Sequence, residues 1–73
     1  MVAGVPRPKP ETVAGRLRLA REAAGLRREE VAATAGISLA TVRRIEEGIG
    51  DPTFANIVAF ADAVGCEMVV DPA

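Results

Sequence analysis

Four glycines divide most of this chain into short segments. Gly25, Gly36, Gly48 and Gly65 each follow a stretch in which apolar residues recur at helical spacing. Glycine just past such a stripe is the residue best suited to a left-handed helix end. Helices shorter than about 12–15 residues are marginal on their own in water. Segments this short cannot bury their apolar faces separately. The chain is therefore restricted to a bundle of several short helices that pack as one unit.

The segments read as follows. Thr12 caps a first helix over about 12–24, with Val13, Leu17, Ala20 and Ala24 as its apolar stripe. Leu26 is an apolar connector. A second helix runs from Arg28 to Ala35, with Val31, Ala32 and Ala35 inward and Glu29 and Glu30 in the first turn, where the helix dipole favours negative charge. Ser38 caps a third helix over about 39–47, buried through Val42 and Ile45. Gly48-Ile49-Gly50-Asp51-Pro52 is a loop by its punctuation. Thr53 caps a fourth helix with the stripe Phe54, Ile57, Val58, Ala61 and Val64, closed by Gly65. Residues 66–70, Cys66-Glu67-Met68-Val69-Val70, read as a single strand. Ahead of all this, Pro6, Pro8 and Pro10 alternate with Arg7 and Lys9 in an extended arm. The arm reads either as a loose terminus or as a segment that touches DNA.

Composition removes whole classes of function. There is no histidine and only one cysteine, so nucleophilic triads and zinc sites are not expected, and the chain reads as a non-enzyme without cofactor or metal. No apolar run reaches the roughly 18 residues of a membrane span. The first residues are too interrupted by proline for a signal peptide, so the expected setting is the reducing cytoplasm. The net charge of −1 hides an asymmetry. Residues 1–28 hold seven basic side chains against two acidic, and residues 29–73 hold two against eight. An overall acidic chain can therefore still present a basic face to nucleic acid.

The second and third helices, joined by Gly36-Ile37-Ser38, have the proportions of a helix-turn-helix. Ala32 is small enough for a close crossing, and Ile37 plugs the turn. Val42 and Ile45 hold the third helix from behind, which leaves Leu39, Ala40, Arg43 and Arg44 outward. A helix presented in this way can enter a major groove.

With these residues in register, the chain resembles the phage-repressor and Cro helix-turn-helix proteins, the XRE family. The resemblance covers residues 15–65. It is carried by Leu17, Arg21, Gly25-Leu26, Glu30-Val31-Ala32, Gly36-Ile37-Ser38, Thr41-Val42, Ile45-Glu46-Glu47-Gly48, Pro52 and Ala61. It implies an all-α, lambda-repressor-like fold of about four helices, binding double-stranded DNA as a homodimer to repress transcription. It implies an ion pair between Arg21 and Glu46 that ties the first helix to the third. Arg28 matches a position that holds a phosphate. Arg27 departs from the family by replacing a Ser or Thr cap with a cation. Leu39 and Ala40 also depart from the pattern, since polar readers are common there; they offer only apolar contact, such as to a thymine methyl. Base reading is then expected to fall on Arg44, with Thr41 and Arg43 assisting, the alternative being that both arginines are solvated or touch phosphate. The candidate DNA-binding set is Arg27, Arg28, Ser38, Leu39, Ala40, Thr41, Arg43 and Arg44.

The ending departs most. Cys66, Met68 and Val70 share one face of the expected strand, with Glu67 and Val69 on the other, and nothing else in the chain can pair with it. Pairing across a two-fold axis resolves this, with Cys66, Met68, Val69 and Val70 as the dimer strand; a frayed tail is the alternative. Such an ending resembles the HipB-type antitoxins, whose partners are kinase-like toxins. The expected organisation is an arm over 1–11, a helix-turn-helix domain over 12–65, and a strand and tail over 66–73. The leading expectation is an autoregulating antitoxin. The alternatives are a phage-type repressor unrelated to a toxin, and a protein-interaction module whose acidic half, around Glu46, Glu47, Asp51 and Asp62, docks a partner.

Overall fold

The computed structural model describes residues 11–66. Four helices follow one another: α1 (Val13–Ala23), α2 (Arg28–Ala35), α3 (Leu39–Glu47) and α4 (Phe54–Ala63). The bounds agree with those read from the sequence to within two residues, because the signals that set them are local. Thr12, Ser38 and Thr53 each stand in extended backbone just before a helix. Their hydroxyls accept the N–H groups of Gly15, Thr41 and Asn56 at 3.0–3.1 Å. Each bond satisfies one of the donors that a helix start leaves without a partner.

All four helices end in the same way. The residue after the glycine sends its N–H back over the last turn: Leu26 to Arg21, Ile37 to Ala32, Ile49 to Arg44 and Cys66 to Ala61, at 2.8–3.2 Å. This is the Schellman closure, which needs a left-handed residue at its centre. At Gly36 that residue has φ +71°. Leu26, Ile37 and Cys66 then pack against the core, as the closure favours, whereas Ile49 stays half exposed.

The core is made of Leu17, Val31, Val42, Ile45, Phe60, Ala61 and Val64. In it α2 packs on both α3 and α4, and α1 packs on α3. Two of the expected stripes need correction. Phe54 is 63% exposed, while Phe60, outside the expected stripe, is fully buried. Phe54 is the first residue of α4 and stays outside the core; the residues of this segment in the core or packed against it are Ile57, Phe60, Ala61, Ala63 and Val64. Likewise Val13, first in α1, is half exposed, and Ala24 is exposed beyond the end of the helix. The inward side of α1 is narrower than expected, with Gly15 and Leu17 buried and Arg21 partly so.

Among the described residues there is no strand. Of the strand expected over 66–70, only Cys66 is described, and its N–H belongs to the closure of α4. Met68, Val69 and Val70 lie outside the described residues, as does the arm through Pro10. No helix among the described residues is long and apolar enough to cross a membrane.

The corrected register of α4 has a direct test. Phe60→Ala should destabilise the domain by about 3–5 kcal/mol, through lost transfer energy and the cavity left behind. Phe54→Ala should stay within about 0.5 kcal/mol of the parent, as exposed positions usually do. Urea titrations of both variants decide the matter, and comparable losses would mean that α4 is rotated from the register described.

Candidate nucleic-acid interface

The helix-turn-helix is α2, the turn Gly36-Ile37-Ser38, and α3. One face of α3 is committed to the interior, with Val42, Ile45 and Glu46 all buried. The opposite face carries Ala40, Arg43 and Arg44, all exposed, with Leu39, Thr41 and Glu47 partly so. Among the described residues, neither Arg43 nor Arg44 has an ion-pair or hydrogen-bond partner for its side chain. Two adjacent cations on an exposed helix face, in no ion pair among the described residues, are available to an anionic ligand.

The amino end of α3 is tightly organised. Ser38 Oγ accepts the Thr41 N–H at 3.0 Å and lies 2.8 Å from Thr41 Oγ1, so the two hydroxyls share a hydrogen bond. Ser38 and Thr41 therefore spend part of their polar capacity on the cap. What remains outward in this first turn is the apolar pair Leu39 and Ala40.

Beside this face an open cleft of about 250 Å³ runs between α3 and the start of α4. Thr41 and Arg44 form one wall, and Thr53 and Asn56 the other, with Ile49 to Pro52 at the end. Thr53 and Asn56 were not among the candidate site residues. The loop punctuation over 48–52 was visible in the sequence, but not that the turn folds α4 back alongside Arg44. Asp51 lines the same cleft and lowers its positive potential.

The start of α2 holds the other two candidate cations, in different states. Arg27 occupies the cap position and has no acceptor to offer. Glu30 compensates by accepting the Arg27 N–H at 2.9 Å, the reciprocal half of a capping box. The Arg27 guanidinium reaches the same carboxylate at 3.4 Å and remains mostly exposed, a surface pair of little energetic weight. The bond from the Arg27 N–H, opposed by desolvation and aided by the guanidinium, holds the Glu30 carboxyl below its ordinary range. Its contribution is therefore complete above the carboxyl's unfolded value and is lost as pH falls through the lower folded one.

Arg28 does not project freely. Its Nε donates to Glu46 Oε1 at 3.2 Å. Arg21 binds the same carboxylate from the other side: its Nε donates to Oε2, and its Nη2 to Oε1 at 3.1 Å. The Arg21 Nη1 also donates to the Leu26 carbonyl at 2.9 Å, fixing the connector between α1 and α2. One carboxylate, with its side chain fully buried, thus gathers arginines from two other helices. Hydrogen bonding to Glu46 raises the Arg21 guanidinium above its ordinary value, against the effect of burial. Arg21 consequently stays charged at any working pH.

Removing one member of this cluster should be costly. Arg21→Ala leaves a buried carboxylate with half its partners and should destabilise the fold by about 3–5 kcal/mol. Chemical denaturation measures the loss. An Arg21→Ala protein as stable as its parent would show that the pair carries no structural weight.

Comparison with known proteins follows the same outline. No curated protein and no solved structure matched the chain. A family model described as a helix-turn-helix domain matches residues 12–70, which take in all four helices and most of the chain. By that match, and with α2, its turn and α3 arranged as described, the chain belongs to the helix-turn-helix domain family.

Proposed function

We propose that this protein is a sequence-specific transcriptional repressor that binds a palindromic operator in double-stranded DNA as a homodimer. The observation that carries the reading is the outer face of α3, where Arg43 and Arg44 stand exposed, without a side-chain partner among the described residues, on a helix anchored from behind. Arg44 is assigned the bidentate contact to guanine, the commonest specific contact of an arginine in the major groove. Ala40 and Leu39 supply apolar contact in the same groove, and Thr41 and Arg43 flank the reader. Arg27 and Arg28 at the start of α2 meet the phosphate backbone. No histidine is present for acid–base work, which supports a binding protein over an enzyme.

The homodimer rests on the sequence pattern of residues 66–70, in which apolar residues alternate as in a strand, and on the economy of reading two half-sites with one surface. The same ending supports an autoregulating antitoxin as the setting, with a kinase-like toxin as the second partner. Docking of a partner by the acidic side chains of the carboxyl-terminal half is the competing use of the domain. Salt dependence separates the two readings: affinity for DNA should fall steeply with salt if phosphates are neutralised.

Selection of binding sites from random duplex DNA tests the reading as a whole. A palindromic motif with half-sites roughly 34–36 Å apart is expected; the absence of any enriched motif overturns it. Within that motif, Arg44→Ala should weaken binding by about 1–3 kcal/mol and relax the preference at one base position. An unchanged selected motif would remove Arg44 from the reading set. For the dimer, deletion of residues 66–73 should leave the four helices in place and yield a monomer on sedimentation. A truncated dimer as tight as the full chain places the interface elsewhere.

A further inference from the structure

Two kinds of cation border the helix-turn-helix. Arg43 and Arg44 have no protein partner for their side chains among the described residues. Arg28 is different, because its Nε is committed to Glu46 Oε1 at 3.2 Å. Its two terminal nitrogens make no hydrogen bond among the described residues, and neither is a buried polar atom lacking a partner. The side chain that carries them is 30% exposed. The carboxylate that holds the Nε edge cannot shift, since its own side chain is wholly buried and pinned by Arg21.

We propose that Glu46 positions Arg28 for binding the DNA backbone: the buried carboxylate grips one edge of the guanidinium and presents the other to a phosphate in a fixed orientation. The inference rests on the DNA-binding reading above and names how one of its contacts is made. Three points carry it. Two guanidiniums share one carboxylate, so the cluster keeps a net positive charge and can still attract a phosphate. A long side chain immobilised before its ligand arrives loses less freedom on binding. The planar guanidinium donates from Nε to one anion and from its terminal nitrogens to another in one fixed plane, whereas a lysine ammonium has three donors but no such rigid fork. Glu46 is in this sense a positioning residue: it acts on DNA only through Arg28. Because it also binds Arg21, the orientation of the phosphate-binding group is set by the packing of α1 against α3.

The test compares the parent protein, Arg28→Lys and Arg28→Ala on a random-sequence duplex over a series of salt concentrations, with thermal melting of each in parallel. Arg28→Ala should bind about tenfold more weakly and reduce the salt slope by about one. Arg28→Lys keeps the charge, and so the parent slope, but loses the tether; its affinity should fall to within about threefold of the alanine variant. Glu46→Gln, where it folds, should weaken binding in the parent and add nothing in an Arg28→Ala background. If it does not fold, the affinity of Arg28→Lys relative to the parent decides. Arg28→Lys binding as tightly as the parent overturns the inference, because charge alone is then sufficient. Arg28→Ala that melts early but binds normally overturns it too, leaving Arg28 a purely structural member of the cluster. A parent protein with no salt-dependent DNA binding removes the DNA reading itself, an outcome distinct from parent binding that is indifferent to Arg28.

Discussion

The carboxylate of Glu46 is the point on which three helices converge. Burying an isolated carboxylate costs several kcal/mol, so the side chain has to be surrounded by donors. Here the donors come from Arg21 on α1 and Arg28 on α2, while Glu46 itself lies near the end of α3. Its place near the end of α3 is electrostatically poor, since the helix dipole there is negative, and the two guanidiniums offset this. A cluster of this kind does not need to add net stability. Replacing it entirely by apolar groups is often neutral, whereas losing one partner is not. Its effect is to fix how the helices meet. That matters in a core that has only seven buried apolar residues among those described.

From that anchor the rest of the site follows. Glu46, Ile45 and Val42 commit one side of α3 to the interior, so the other side is presented as a rigid surface. The Ser38 cap and its hydrogen bond to Thr41 hold the opposite end of the same helix. Between these two restraints lie the exposed Arg43 and Arg44. The chain as a whole carries a net charge of −1, yet Arg43 and Arg44 stand exposed side by side, with Glu47 on the same helix and Asp51 in the adjoining cleft offsetting part of their charge. Local field, not overall charge, decides what such a face attracts.

The cleft beside α3 shows how much the loop after it contributes. Gly48 and Gly50 both adopt positive φ, and between them the chain reverses so that α4 begins alongside Arg44. Without that reversal Thr53 and Asn56 would not line a cleft with Thr41 and Arg44. The half-exposed Ile49 and the exposed Phe54 mark the same turn as a place where apolar side chains were left outside the core.

Where each helix begins and ends is written locally in the chain. Thr12, Ser38 and Thr53 cap groups only three residues away, and the closing glycines act over five. Such interactions lie within a segment, so they can be recognised in it. Even the unusual start of α2 was legible in principle, since Glu30 stands at the position that can cap in place of Arg27. The pairing of Arg21 with Glu46 was suggested by the family resemblance, not by spacing, for the two lie 25 residues apart. That Arg28, 18 residues from Glu46, shares that carboxylate, and that Phe60 instead of Phe54 fills the core, emerges from the packing of the helices. The reason is the same in both cases. Which side of a helix is buried, and which carboxylate an arginine reaches, depend on where neighbouring helices lie, and periodicity within one helix carries no record of that.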